Sequence, residues 1–301
     1  MTETKKEKGP LFSILIPSWN NLEFLKLCLK SIERNSCYTH EILIHVNEGS
    51  DGTLEWVRNK GYKYTHSIEN IGVCWALNSL RTLVTTEYIV YMNDDMYALP
   101  QWDSVLLKTI QSIGHKRFYI SASMIQPQAH PNRKISVGVA DYGMTPETFR
   151  EDDLLKHYND IYIPNWKGST SPPCIVHRDI WDTVGGYSVE LSPGMASDPD
   201  FSAKLWLAGI REFKGIGASR VYHFMSRSVG RVKKNRGSLQ FLRKYGITIR
   251  TFQNDILNID EPENSSRNNR NSLYIDRLRS RIRLMYTHFR NDKTRKIWEQ
   301  I

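Results

Sequence analysis

The sequence lacks any apolar run near the roughly 18 residues that a membrane-spanning helix requires. Its first ten residues are polar and lysine-rich, without the apolar stretch that a signal peptide carries. Cysteine is scarce as well. The four residues at positions 28, 37, 74 and 174 form no Cys-x-x-Cys pair, which favours reduced thiols over a disulfide framework or a zinc site. We therefore expect a soluble protein of the cytoplasm.

Acidic residues are outnumbered only in the last quarter of the chain. Residues 227–301 contain 18 Lys or Arg against 7 Asp or Glu, whereas residues 1–226 contain 23 against 25. The net charge of +9 therefore originates near the C-terminus. Such a segment suits a polyanion, for example a diphosphate, an anionic lipid surface or a nucleic acid. A solvated basic surface that only aids solubility explains it equally well.

Strands and helices alternate through the first part of the chain. Short apolar runs predict four strands, at 12–16, 41–46, 62–67 and 88–92. Apolar residues at helical spacing predict the helices between them, at 22–32, 54–59 and 72–83. This alternation favours an α/β fold with a mostly parallel, Rossmann-like central sheet flanked by helices. Ligands bind such sheets beyond the carboxyl ends of the strands.

The second part of the chain is less regular. Residues 200–208 form a helix candidate, and residues 272–298 read as a basic, partly amphipathic helix. We expect one α/β domain over residues 1–226, with halves at about 11–110 and 111–226. Residues 227–301 would add a basic flexible loop and a helical extension.

Asn93, Asp94 and Asp95 directly follow the fourth predicted strand. Two adjacent carboxylates at a strand end are unfavourable unless a positive charge joins them, and a divalent cation is the obvious partner. Mg²⁺ usually binds through one or two carboxylates together with substrate phosphates. Because neighbouring strand residues point to opposite faces, Asp94 and Asp95 should have different roles. An ordinary Asp-rich turn is the competing interpretation.

Asp198 and Asp200 lie where the helix at 200–208 is expected to begin. A carboxylate is favoured there as a helix cap. Since one cap suffices, the other aspartate would be free to act as a general base.

His223 follows a predicted strand in the sequence Val-Tyr-His-Phe. A histidine flanked by aromatics is more often packed than ligating, yet imidazole with carboxylate suits Mn²⁺. Residues 226–234, which include Arg231, form a cationic segment directly after it. That segment could fold over a diphosphate and neutralise the leaving group.

In this order the segments resemble the family 2 glycosyltransferases with the GT-A fold, over about residues 12–234. The motifs that carry the resemblance are Pro17-Ser18-Trp19-Asn20, Asn47-Glu48-Gly49-Ser50, Asn70-Ile71-Gly72, Asn93-Asp94-Asp95, Val184-Gly185-Gly186-Tyr187 and Ser197-Asp198-Pro199-Asp200. Three positions depart from the family pattern: Trp19 replaces the usual Tyr, Asn47 and Glu48 replace an acidic pair, and Ser197 replaces a Glu.

The resemblance implies a role for each motif. Residues around the nucleotide would be Pro17, Trp19, Asn47, Glu48, Asn70 and Gly72. Asp94 would contact the nucleotide sugar, Asp95 and His223 would bind Mn²⁺ or Mg²⁺, and Asp198 would act as the base. Residues 11–110 would then form the donor half and 111–226 the acceptor half.

The implied reaction moves one sugar from a nucleotide-diphosphate donor, with a UDP-sugar favoured, to an acceptor hydroxyl. We expect inversion at the anomeric carbon, because one base and no nucleophile partner are apparent. The processive members of the family carry membrane helices and a Gln-x-x-Arg-Trp motif, and neither is present. The acceptor could be a glycan, a lipid-linked glycan, a protein or a nucleobase. Candidates for stacking on its sugar rings are Trp166, Tyr187 and Trp206, although core packing is the better interpretation of Trp206.

Several alternatives remain open at this point. A nucleotidyltransferase could share the fold, but such enzymes usually open with a glycine-rich loop, and residues 12–21 contain no glycine. The basic tail could instead belong to a nucleic-acid-binding protein, or to a glycosyltransferase that acts on a DNA base. It could also hold a cytoplasmic enzyme at an anionic membrane surface. A catalytically inactive relative that only binds a sugar nucleotide is the last alternative.

Overall fold

The computed structural model describes residues 9–131, 133–168, 171–225, 236–265 and 270–289. The first part contains β1 (Phe12–Trp19), α1 (Leu22–Asn35), β2 (Glu41–Asn47), α2 (Thr53–Asn59), β3 (Lys63–Ser67), α3 (Gly72–Arg81), β4 (Tyr88–Tyr91), β5 (Met96–Ala98) and α4 (Trp102–Ile113). The second part contains β6 (Phe118–Gln126), β7 (Val137–Val139), α5 (Glu151–His157), β8 (Trp166–Lys167), β9 (Cys174–His177), α6 (Arg178–Thr183), α7 (Ser197–Leu207) and β10 (Glu212–His223). The C-terminal part contains α8 (Gly237–Tyr245), α9 (Ile249–Thr251), which continues into a π-helical turn (Phe252–Ile256), and α10 (Arg270–Phe289).

One sheet organises the described residues. Its strand order is β3-β2-β1-β4-β9-β6-β10-β5, with β7 paired to β6 and β8 paired to β10. Seven strands point the same way, and β5, β8 and β9 run against them. The predicted α/β fold with a mostly parallel sheet is therefore confirmed. Because β1, β2, β4, β6 and β10 are parallel, their carboxyl ends meet at one edge of the sheet.

Several element bounds differ from the predicted ones. Strand β1 does not stop at residue 16 but runs through Pro17 to Trp19. The proline is tolerated because the pairing of β1 with β4 ends at Leu15, while its pairing with β2 continues. Helix α7 begins three residues earlier than expected, at Ser197. The predicted helix at 272–298 is observed as α10, and residues 290–298 lie outside the described part.

The apolar core has two layers because successive strand residues face opposite sides of the sheet. In β1, Phe12, Ile14 and Ile16 pack on the side of α1 and α4, whereas Leu15 packs on the side of α3 and α7. The second layer also includes Phe241 from α8 and Phe252 from the π-helical turn. Residues 236–265 therefore share a hydrophobic core with the sheet.

Polar contacts also join the C-terminal part to the sheet. The Asp260 carboxylate accepts hydrogen bonds from the backbone N–H groups of Lys134, Ile135 and Ser136. Pro262 forms a bridge to Trp166 of β8. Within the described residues, no helix is long and apolar enough to cross a membrane.

Candidate active site

The carboxyl edge of the sheet brings the predicted carboxylate pair together with β1. Asp94 and Asp95 lie in the turn between β4 and β5, and both are buried. The Ser18 hydroxyl donates a 2.7 Å hydrogen bond to Asp94 Oδ2. Sequence reasoning did not assign Ser18 a role, although its position beside Pro17 at the end of β1 was a usable signal. This hydrogen bond orients one carboxylate of the pair.

Asp95 has a different neighbour, His223 at the end of β10. Strand β10 pairs antiparallel with β5, so that His223 lies opposite Met96. The Phe224 N–H donates to the backbone carbonyl of Asp95, and His223 Nε2 lies 3.4 Å from Asp95 Oδ2. His223 Nδ1 is buried and makes no hydrogen bond within the described part of the chain. The structure thus places the two predicted metal ligands side by side.

The donor set fits a cation that arrives with a phosphate ligand. The described residues contain no group of three or more His, Cys, Asp or Glu that could hold a metal ion. A carboxylate and an imidazole supply two ligands, and Mg²⁺ or Mn²⁺ would complete its shell with diphosphate oxygens and water. The buried Nδ1 of His223 without a partner shows that this imidazole is not held by an ordinary packing hydrogen bond.

Trp19 and Glu48 form the next part of the edge, at the ends of β1 and β2. The Trp19 Nε1–H donates a 2.8 Å hydrogen bond to Glu48 Oε2, and the Ser50 hydroxyl donates to Glu48 Oε1. Glu48 adopts a left-handed backbone with φ of 62°. A residue with a Cβ rarely occupies this region, and such strain accumulates at binding sites. Trp19 and Glu48, two of the positions that depart from the family pattern, therefore contact each other through an indole–carboxylate hydrogen bond.

Asn47, Asn70 and Gly72 order the loop that leads into α3. Asn47 Oδ1 accepts the N–H of Ile71 at 2.9 Å, and Asn70 Oδ1 accepts the N–H of Gly72 at 2.9 Å. Gly72 has φ of 78°, and a Cβ there would lie 2.5 Å from the Pro193 Cα. The glycine is required by this close approach, which joins the start of α3 to the loop before α7.

Asp198 lies in the first turn of α7 and is partly buried. Burial raises the pKa of its carboxyl group to about 7, and the Tyr187 hydroxyl opposes this shift. By strict geometry that hydroxyl makes no hydrogen bond among the described residues, so its opposition is weak. A carboxyl group that titrates near neutrality can accept a proton from a substrate and release it again.

Neither aspartate caps α7, which corrects the competing interpretation of this motif. Ala196 occupies the N-cap position and no side chain caps the helix. Asp200 is fully buried and serves as an anchor. Its carboxylate accepts hydrogen bonds from Ser188 at 2.5 Å and Tyr245 at 2.8 Å, and it lies 2.9 Å from Lys244 Nζ. Asp200 therefore fixes α8 to α7.

Tyr91 connects the two halves of the site. Its pKa is raised well above the ordinary value, first by burial and then by the negative charge of Asp198, with Asp95 among the smaller contributions. The hydroxyl at the end of β4 therefore lies within electrostatic reach of both carboxylates. This residue was not predicted, because only its position between two loops remote in sequence reveals it.

The remaining predictions have different outcomes. Trp166 and Tyr187 cannot stack on an acceptor, because both are buried: Trp166 packs on Gly215 and Tyr187 stacks on Phe201 with 4.6 Å between ring centroids. Trp206 is partly buried beneath the Arg211 guanidinium. All four cysteines are free thiols, as expected. Arg231 lies outside the described residues.

A basic cavity of about 1240 Å³ opens between the loop after β6 and the C-terminal part. Its wall carries Arg133, Lys134, Arg250 and Arg283 against the acidic Asp260 and Glu261. His130 also lines the cavity. Its pKa is lowered mainly by burial and by Arg133, and His223 lowers it further. The cavity therefore lies within electrostatic range of His223.

Comparisons with known proteins agree with this geometry. The family model for Glycosyl transferase family 2 matches residues 13–166. The uncharacterised protein y4gI of Sinorhizobium fredii is 25% identical over 239 residues, which cover 74% of this chain and 25% of that protein. This chain therefore spans about a quarter of that relative's length.

Solved structures share the fold. TarS 1–349 of S. aureus has a TM-score of 0.50 and 15% identity, covering 71% of this chain and 60% of that one. GalNAc-T7 with UDP, GalNAc and Mn²⁺ has a TM-score of 0.51 and 14% identity, covering 77% of this chain and 45% of that one. At these identities the likeness shows the fold alone.

Proposed function

Because the chain belongs to glycosyl transferase family 2 and is a transferase enzyme, we propose that it moves one sugar from a nucleotide-diphosphate donor to an acceptor hydroxyl. A UDP-sugar is the favoured donor. GalNAc-T7, which shares the fold, binds UDP and Mn²⁺. That complex supports the same donor class and a divalent cation for this chain.

The observation that supports the proposal is that Asp198 and Asp95 both contribute to raising the pKa of Tyr91, at the end of β4. On one side, Asp95 and His223 form a carboxylate–imidazole pair. On the other side, the Asp198 carboxyl group has a pKa of about 7. A glycosyl transfer needs these two functions, one to stabilise a diphosphate leaving group and one to deprotonate an alcohol.

Donor binding would use the ends of β1, β2 and β4. Asp95 and His223 would hold Mn²⁺ or Mg²⁺, whose charge stabilises the diphosphate when bound. Asp94, oriented by Ser18, would contact the sugar part of the nucleotide. The residues proposed to line the nucleotide are Pro17, Trp19, Asn47, Glu48, Asn70 and Gly72. Arg231, which lies outside the described residues, is proposed as a further contact to the diphosphate.

Acceptor activation would fall to Asp198. With a pKa of about 7, a substantial fraction of this carboxyl group is ionised at neutral pH and still basic enough to take the hydroxyl proton. The alkoxide that develops then attacks the anomeric carbon from the face opposite the nucleotide. Since Asp198 acts as a base and no second carboxylate is proposed as a nucleophile, the configuration should invert.

The test is a hydrolysis and transfer screen of UDP-, GDP- and dTDP-sugars with and without Mn²⁺. We expect turnover of a UDP-sugar that requires the metal and falls at least about 100-fold in Asp95→Asn. Asp182→Asn is the matched control, because Asp182 is a half-exposed carboxylate paired with Arg81 away from the carboxyl edge. Metal-independent turnover, or equal turnover in Asp95→Asn, would refute the proposed site.

A second candidate function, nucleic-acid binding, is favoured by the basic cavity and by the arginines of α10. Such binding should weaken steeply as salt rises, because each phosphate contact releases counterions. It should also persist in Asp95→Asn. An electrophoretic shift with both properties would support it, and a DNA-base acceptor would unite it with sugar transfer.

A further inference from the structure

Helix α10 packs on the protein through its polar side. Ser280 is almost fully buried, and its hydroxyl lies 3.5 Å from Asp276 Oδ2. Thr248, at the start of α9, donates to the same carboxylate oxygen at 3.4 Å. Leu284, one turn further along, lines a cavity together with Tyr245 of α8. The face directed toward the rest of the chain is therefore largely hydrophilic.

The opposite side of α10 is apolar and exposed to solvent. Its exposed side chains are Tyr274 (75%), Ile275 (50%), Leu278 (53%), Ile282 (55%) and Met285 (61%). At 3.6 residues per turn these positions form one stripe about 100° wide. Amphipathic helices of globular proteins normally bury such a stripe, and a large exposed apolar patch marks an interaction site. The orientation of α10 is thus reversed relative to the usual one.

Arginines border this stripe on both sides. Arg279 follows one margin and Arg281 the other, with Arg277 and Arg283 next to them, and all four are exposed. Residues 274–285 include a single acidic residue, Asp276, and its carboxylate points inward to Thr248. Long basic side chains at the margins of an apolar stripe can place their stems on apolar surface and their charges in water or on phosphate.

The charges distinguish between occupants of the stripe. A second copy of the chain could use Ile275, Leu278, Ile282 and Met285 as a coiled-coil seam, but Arg279 and Arg281 would then flank the seam as like charges. A nucleic acid would satisfy the arginines and leave the apolar stripe in water. An anionic lipid surface offers phosphate charge directly beside an apolar layer, so that it would match both the arginines and the stripe.

We propose that α10 lies in the plane of an anionic membrane, with its apolar stripe inserted at the acyl boundary and its arginines on the headgroups. Its 20 residues give a helix about 30 Å long, enough to anchor the protein peripherally. This proposal is independent of the donor site, since the stripe faces away from the body of the protein.

The test is flotation of the full chain with vesicles of phosphatidylcholine and phosphatidylglycerol in equal parts, compared with pure phosphatidylcholine. We expect wild type to bind the anionic vesicles at least about 10-fold more tightly, since each basic residue near such a surface favours binding. Leu278→Gln/Ile282→Gln and Arg279→Gln/Arg281→Gln should each lose at least about 10-fold, and high salt should weaken wild type.

Matched controls change the same chemistry elsewhere. Ile68→Gln/Leu207→Gln alters two other exposed apolar residues, and Arg243→Gln/Arg250→Gln removes two exposed arginines outside α10. Both should bind like wild type, and all variants should hydrolyse a soluble donor like wild type. Failure of wild type to float, or undiminished binding by the stripe variant, would overturn the proposal. So would a wild-type dimer that the stripe variant converts to monomer.

Discussion

Replacing Asp198 with asparagine should make the protein less active and more stable. In the folded chain the pKa of Asp198 is about 7, whereas the ordinary value is 3.8. The folded state therefore binds this proton more tightly than the unfolded state, so the charged carboxylate opposes folding increasingly as pH rises from about 4 to 7. At about 1.36 kcal/mol per pKa unit, a shift of roughly three units amounts to about 4 kcal/mol at pH 8.

The expected stability gain of Asp198→Asn depends on pH in a defined way. It should approach about 4 kcal/mol at pH 8, fall below about 2 kcal/mol near pH 5 and vanish near pH 3, as measured by urea unfolding. Turnover should fall by about 10²–10⁴-fold, the contribution of a positioned base. In wild type, the acidic limb of the pH–rate profile should have an apparent pKa near 7.

Asp200→Asn is the matched comparison, an identical change two residues along α7. It removes the charge that faces Lys244 and weakens the contacts with Ser188 and Tyr245. We expect a loss of about 2 kcal/mol or more, the opposite sign to Asp198→Asn. If both variants lose stability at pH 8, Asp198 is a structural residue and its assignment as the base is wrong.

Two further substitutions test the loops around the site. Gly72→Ala should lower the free energy of unfolding in urea by about 1–3 kcal/mol, because the new Cβ would meet Pro193. Gly61 also has a positive φ, of 72°, but a Cβ there would meet open space, so that Gly61→Ala should cost about 1 kcal/mol. If Gly72→Ala costs no more than Gly61→Ala, the loop that contains Pro193 moves to accommodate the added Cβ and the close approach does not require glycine. Ser18→Ala should weaken donor binding about 10-fold in calorimetric titration, because Asp94 loses its 2.7 Å hydrogen bond. Unchanged affinity would remove Ser18 and Asp94 from the donor site.

The alternation of short apolar runs with helical spacing was enough to predict the first part of the fold. Strands β1, β2 and β4 were predicted from local pattern alone, and the carboxyl ends of parallel strands necessarily share an edge. The sequence therefore predicted that Asp94 and Asp95 would lie together with Trp19. Their different neighbours, Ser18 and His223, come from the turn between β4 and β5 and not from a strand pleat, because both aspartates lie in that turn.

Contacts between distant segments could not be predicted in this way. Asp198 and Asp200 looked equivalent because the difference depends on Lys244 and Tyr245, about forty residues further along the chain. Glycine is needed at position 72 because of Pro193, which lies in a loop far along the chain. Local propensity carries no information about such pairs, which are set by packing. The burial that raises the pKa of Asp198 is likewise set by packing and could not be predicted from local sequence.

The anchor formed by Asp200, Lys244 and Tyr245 makes the helix that bears Asp198 depend on a segment about forty residues further along the chain. A chain shortened before residue 236 would leave a negative charge inside an apolar layer and remove Phe241 and Phe252 from it. The segment from Gly237 to Ile256 thus supports the position of α7. Because α10 contacts α8, anything that binds α10 would also affect the rigidity of the helix that carries Asp198.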